Sequence, residues 1–158
     1  MAYQLQEIND RIRADAKGFL EECDFSFRRR VEEAANRIIN RTAESPIVLL
    51  SGPSGSGKTT TALKLEEELE RRGISTHTIS MDNYFRTMNP KTAPRTPEGA
   101  IDYESPLNLD MELLDETFTK LSRGEEVIIP KFEFARQMRN DARGRPLKLA
   151  KNEIAIFE

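Results

Sequence analysis

Eight consecutive residues, Gly52 to Thr59, read Gly-Pro-Ser-Gly-Ser-Gly-Lys-Thr. Their types and spacing are those of a loop that holds phosphate. Glycines at 52, 55 and 57 let the backbone curl until its N–H groups converge on an anion. Lys58 brings a point charge to the β- and γ-phosphates, and the Thr59 hydroxyl is placed to ligate Mg²⁺. Ser54, Ser56 and Thr60 complete the phosphate-binding set.

The motif needs a strand before it and a helix after it, and the sequence supplies both. Ile47-Val48-Leu49-Leu50 is a short apolar, β-rich run. Thr60 to Arg72 follows as a helical pattern closed by Gly73, so the phosphate also meets a helix N-terminus. Ile74 to Met81 alternates and is β-branched, which predicts a second strand. Asp82 falls where that strand should end, and ligands of parallel α/β sheets gather at the carboxyl ends of strands. His77 lies inside the same strand with no partner nearby in sequence and reads as structural.

Further along, residues 86–106 hold Pro90, Pro94, Pro97, Pro106 and Gly99 without periodicity. A connection of that length is usually functional or mobile. A helix is expected from Asp110 to Ser122, with Leu113, Leu114, Phe118 and Leu121 inward and Gly124 at its end. Val127 to Pro130 reads as a short edge strand, because proline removes a ladder donor. Lys131 to Leu149 is basic and turn-rich, with a hairpin expected around Gly144. Ile154 to Phe157 is a third core strand, followed by Glu158.

Before the phosphate loop, residues 3–22 form an amphipathic helix with Leu5, Ile8, Ile12, Phe19 and Leu20 as its apolar positions. A second helix is capped by Asp24 or Ser26 and carries the stripe Phe27, Val31, Ala34, Ala35 and Ile38. Ser45-Pro46 ends the region. The expected division is a helical extension over 1–45 and a nucleotide-binding domain over 46–158. The expected fold class is α/β: an incomplete P-loop NTPase-type parallel sheet flanked by helices.

Composition narrows the partners. The chain has 158 residues, a net charge of −3 and a pI near 5.4, so no global field attracts nucleic acid. Arg28-Arg29-Arg30 reads as a solvated helix face. One cysteine, Cys23, excludes an internal disulfide and a cysteine metal cluster. No run approaches the ~18 apolar residues of a membrane span, and the expected location is the cytoplasm. No Asn-Lys-x-Asp block is present to read guanine.

Four blocks in order carry a family resemblance. They are the loop at 52–60, Ile-Ser-Met-Asp-Asn-Tyr-Phe at 79–85, Ile-Asp-Tyr-Glu-Ser-Pro at 101–106 and Pro-Lys-Phe-Glu-Phe at 130–134. Together they resemble the uridine kinase and phosphoribulokinase family of P-loop kinases over residues 46–158. The resemblance implies ATP and Mg²⁺ as cofactors and a small-molecule hydroxyl, as on a nucleoside, as phosphoryl acceptor. It implies that Asp82 is the catalytic aspartate beside Lys58. Asp102 would bind ribose hydroxyls, and Arg139 would belong to the acceptor pocket. Thr59, Asp82 and Glu158 would hold the metal. Phe85, Phe132 and Gln137 stand where the family's nucleoside kinases have a tyrosine, a tyrosine and a histidine. Stacking survives those changes while directional readout of a base weakens.

Family members continue past the third core strand into further strands and an arginine-rich lid. The chain is therefore expected to stop in mid-fold, as a fragment would. The expectations are an uncovered sheet edge, self-association into a homo-oligomer, and weak turnover. The rival reading is a nucleotide-binding module with no turnover of its own.

Overall fold

The computed structural model describes residues 4–53 and 55–158. Three strands form a parallel sheet in the order β1–β7–β2, with β1 at Ile47–Leu49, β2 at Ser75–Ile79 and β7 at Glu153–Phe157. The last strand is therefore central. Among the described residues the open edges belong to β1 and β2, while the third core strand, at which the sequence reading ends the sheet, is paired on both sides. Strand order is set by pairings distant in the chain, and local periodicity does not carry it.

The composition of β7 fits that place. Ile154, Ala155, Ile156 and Phe157 are all fully buried, as expected of a strand covered on both faces. Side chains alternate across a strand. Ile154 and Ile156 join Val31, Ala35, Ala62, Leu65 and Leu69 on one face. Ala155 and Phe157 join Ile79, Tyr84, Leu114, Leu121 and Ile129 on the other. Helices α1 (Leu5–Arg41) and α2 (Lys58–Arg71) cover the first face, and α3 (Met111–Ser122) covers the second.

The two N-terminal helices do form, but they meet at Asp15 rather than at Asp24 or Ser26. Asp15 leaves helical geometry, and its Oδ1 accepts from the Gly18 N–H at 2.9 Å, capping the second segment. A Cβ at residue 18 would collide with that carboxylate. The bend lets Arg11 pair with Glu22 and lie 4.7 Å over the Phe19 ring. Asp24 and Ser26 sit inside the second segment, where Ser26 Oγ accepts from Arg30 Nη2. Glu68 binds both Arg71 and Arg72, and Arg72 reaches Asn36, which ties α2 to α1. The hydrogen bond from Arg71 leads in pulling the Glu68 carboxyl down to about 2.

Residues 131–149 depart from the expected hairpin at Gly144. The tight hairpin joins β4 (Phe132–Glu133) to β5 (Met138–Arg139), with Gln137 at φ 49° in its turn. Residues 145–147 instead form β6, antiparallel to β3 at Val127–Ile129. Gly144 has an ordinary φ and is needed for space, since a Cβ there would strike the Ile128 side chain.

The segment 86–106 is pinned at its base. Arg86 N donates to Asn108 O and Asp110 N to Tyr84 O, each at 2.8 Å. Buried Asn108 donates to the Asp102 and Tyr103 carbonyls. Asp110 then caps α3 by accepting from Leu113 N, and its carboxylate binds Arg139 at 2.7 Å and Arg86 at 3.1 Å. Burial alone would raise the Asp110 pKa. The hydrogen bonds from Arg139 and Leu113 and the charge of Arg86 outweigh it and hold the carboxyl below its ordinary range.

Two consequences are measurable. Leu69→Ala should remove about 3 kcal/mol of stability in urea unfolding, because Leu69 is fully buried and a truncated core leucine leaves a cavity. Asp110→Asn keeps a cap acceptor but loses the charge, and should cost about 1 kcal/mol at pH 7. A depressed folded pKa stabilises above the unfolded value and is lost as pH falls through the folded one. The wild-type advantage over the variant should therefore shrink below the ordinary aspartate value of 3.8, as paired unfolding curves at pH 7 and pH 3 would show.

Candidate active site

The sheet register sets the site. Leu49, Phe157 and Ile79 are paired in one row across the sheet. Just beyond that row the chain becomes the phosphate loop, Glu158 and Ser80. The row is closed by Leu50 N donating to Phe157 O at 2.8 Å, Glu158 N to Ile79 O at 3.0 Å and Met81 N to Glu158 O at 2.7 Å. Three carboxyl ends are thus held together by backbone hydrogen bonds, and a cleft of about 670 Å³ opens above them. That volume is in the range of small-molecule sites.

On one wall stands the loop. Gly55 and Gly57 adopt φ of 71° and 82°, the left-handed region that glycine enters without strain. Gly52 is glycine for space, since a Cβ would meet the Ser56 hydroxyl at 2.8 Å. Gly57 starts α2, whose first turn carries no acidic residue, so its free N–H groups face the loop without a competing anion. Lys58 Nζ donates to Gly52 O at 2.9 Å and Pro53 O at 3.1 Å. Gly52, Lys58 and Thr59 line the cleft, while Ser56 and Thr60 are exposed beside it. Ser54 lies outside the described residues.

Opposite the loop, a 3-10 turn at Met81–Tyr84 follows β2, capped by Ser80 Oγ accepting from Asp82 N at 3.3 Å. It turns Asp82 into the cleft. Glu158 also lines the cleft, and its Oε2 is buried with no hydrogen-bond partner among the described residues. A buried carboxylate oxygen without a donor needs an explanation, and a cation supplies one. Thr59, Asp82 and Glu158 offer hard oxygen ligands of the kind Mg²⁺ takes. No cluster of three or more His, Cys, Asp or Glu is found among the described residues. Mg²⁺ is usually held by one or two carboxylates plus substrate phosphates.

The far wall is aromatic. Phe85 meets Phe132 edge-on at 5.6 Å, and Phe132 meets Phe134 at 5.1 Å. Phe132 is 7% exposed and Phe134 62%, so Phe134 offers the larger open ring. Gln137 lines the same wall. Its left-handed backbone is fixed by its N–H to Phe134 O and its carbonyl to Met88 N.

Phe85, Phe132 and Gln137 therefore gather with Asp82, Lys58, Thr59 and Glu158 around one cleft. Asp102 and Arg139 are not among the lining residues. Asp102 Oδ1 accepts from Glu104 N at 3.1 Å, closing a local turn. Arg139 is held by Asp110 and by Asp141 at 2.9 Å. In their place Tyr103, Glu104, Asn108 and Arg86 face the opening. Sequence reasoning passed over these four and Phe134. For Tyr103, Glu104 and Phe134 the signal was adjacency, since each sits within two residues of a position already singled out.

His77 lies midway along β2, with Nε2 3.2 Å from Glu153 Oε2.

The chain is similar to known proteins in sequence and in fold. The model of the phosphoribulokinase / uridine kinase family matches residues 47–158. A uridine kinase of Limosilactobacillus reuteri is 29% identical over 114 residues, covering 72% of this chain and 49% of that one. A possible uridine kinase from Bacillus stearothermophilus superposes with a TM-score of 0.63 at 24% identity, over 84% of this chain and 71% of that one. A D-glycerate 3-kinase from Cryptococcus neoformans superposes at 0.59 and 21% identity, over 81% and 51%. The chain spans about half the length, or less, of the curated relatives it matches. With the loop, the strand-end carboxylates and the parallel sheet in place, and the family model matching from β1 onward, the chain belongs to the phosphoribulokinase / uridine kinase family.

Proposed function

We propose that the chain binds ATP with Mg²⁺ and serves transfer of the γ-phosphoryl group to a hydroxyl of a nucleoside or a similar small molecule. The observation that carries this reading is the single cleft shared by Lys58, Thr59, Asp82, Glu158 and the aromatic wall. Phosphoryl transfer needs alignment and charge neutralisation more than covalent chemistry. Lys58 exchanges its loop carbonyls for phosphate oxygens. Asp82 accepts the proton of the acceptor hydroxyl. Thr59, Asp82 and Glu158 would hold Mg²⁺, which when bound neutralises phosphate charge. Phe134 and Phe85 stack against the acceptor, and Gln137 offers an amide to its edge. Asp102 and Arg139 would reach the acceptor only after leaving their present partners. The expected workplace is the cytoplasm, and no helix among the described residues is long and apolar enough to cross a membrane.

The rival is a module that binds nucleotide without turning it over. Lys58→Ala should remove most of the ~2.7 kcal/mol of stabilisation expected from ATP at 100 times its dissociation constant. Equal thermal shifts in both proteins would sink the nucleotide assignment. Asp82→Asn should keep ATP binding and lower acceptor-dependent ADP release by ~10³, about 4 kcal/mol of barrier. Release that no acceptor stimulates, with binding intact, would establish the module instead.

Self-association belongs to the same proposal. The outer edge of β1 pairs with no strand among the described residues, and Leu49 there is 60% exposed. Open edges recruit other chains. Sedimentation should show a dimer or larger species that Leu49→Lys shifts toward monomer. A monomeric wild type would refute the oligomer.

A further inference from the structure

A second pocket, of about 150 Å³, lies between the free edge of β2 and the β3–β6 ribbon. Nothing in the proposed chemistry uses it. Lys131, Arg143 and Arg145 line it, together with Thr78, Ser80 and Asn83, and no Asp or Glu does. In a chain of net charge −3 this is a local reversal of sign.

The cations are poorly matched by acids. Among the described residues, no carboxylate lies within ion-pair distance of Lys131 or Arg145. Arg145 Nη2 instead donates to Thr78 O at 3.4 Å, across the open edge of β2. Arg143 pairs at 3.5 Å with Glu133, which also has Arg136 and Asn140 as partners. Arg143 can therefore be withdrawn without stranding that carboxylate.

Thr78 meets the pocket through its backbone, since its carbonyl takes the Arg145 hydrogen bond, while its side chain shares the Ile156 face of the sheet. The other two neutral groups are donors in want of acceptors. Asn83 spends its Oδ1 on Phe132 N at 3.2 Å, which leaves its Nδ2 protons free. Ser80 Oγ accepts from Asp82 N and retains its own proton to give. Gly144 makes the arrangement possible. Its missing side chain lets the chain press against Ile128, so that Arg143 and Arg145 straddle the contact.

The geometry points to a binding site for one phosphate-class oxyanion, separate from the phosphate loop. Guanidinium forks, an ammonium and hydroxyl donors are the groups that hold such an anion. The volume admits one phosphoryl group and excludes a nucleoside. Ser80 lines this pocket and the main cleft alike. An anion bound here would thus lie against the turn that carries Asp82. The anion is either free phosphate or the terminal phosphoryl of a larger molecule whose remainder lies outside.

The test is a titration of the full chain with inorganic phosphate, followed by amide NMR at constant ionic strength against sodium chloride. Saturable shifts at Thr78, Ser80, Asn83 and Arg145 are expected, and they should persist in Lys58→Ala. Lys131→Gln and Arg145→Gln should each weaken the binding at least tenfold. Uridine monophosphate in a parallel titration separates the sources. Tighter binding at the same amides assigns a phosphorylated molecule, and equal or weaker binding assigns free phosphate. Shifts confined to residues 52–60 and lost in Lys58→Ala would overturn the proposal, as would shifts that never saturate or that chloride reproduces. If Arg145→Gln fails to fold, Lys131→Gln decides alone, since that side chain is exposed and bonds to nothing described.

Discussion

The structure depends on one insertion. Strand β7 enters between β1 and β2 and pairs Ala155 with both Ile47 and His77. Without it the two earlier strands have no common partner, and the phosphate loop and the Asp82 turn have no fixed relation. Its four apolar residues, Ile154 to Phe157, are fully buried, so it also joins the two hydrophobic layers. Local sequence cannot nucleate such a pairing, because the partners are remote along the chain. Loop closure must precede any gain from the contact.

Two halves of the cleft are held by different forces. The phosphate half hangs on backbone hydrogen bonds at the ends of a buried sheet. The acceptor half is built from the 86–106 segment and the β4–β5 hairpin, and polar side chains fasten it. Asp110 holds Arg86 and Arg139, Asn108 holds the Asp102–Tyr103 backbone, and Asn83 holds Phe132. Partly exposed ion pairs yield more readily than a buried ladder. On the proposed function, the part that would fit an acceptor is therefore the more adjustable part, and the part that would fit phosphates is the stiffer one.

How much of this was legible follows from the range of each signal. The loop at 52–59 is a contiguous motif whose glycines answer to backbone geometry alone, and the strand before it and helix after it were readable with it. Asp82 was readable from its place after a β-branched run. The helix break was misplaced because Asp24, Ser26 and Asp15 are all competent caps. What selects Asp15 is Gly18, whose missing side chain makes room for the carboxylate. The aromatic wall was half read. Which of Phe132 and Phe134 opens to the cleft depends on the hairpin register and on Gln137 turning left-handed, and neither is written in composition. Asp102 and Arg139 were named from resemblance, and their present partners, Glu104 N and Asp110, come from tertiary contacts that no spacing rule encodes.

Lys58 has a last implication. Its ammonium rests on two carbonyls of its own loop, Gly52 and Pro53, so the loop carries an internal competitor for its cation. An incoming group displaces those acceptors only by being a better one. Neutral oxygens offer nothing over what is already there, while a charged phosphate forms a hydrogen bond roughly twice as strong as a neutral one. On the proposed function, the resting contact thus favours a phosphate over a neutral solute before shape is consulted at all.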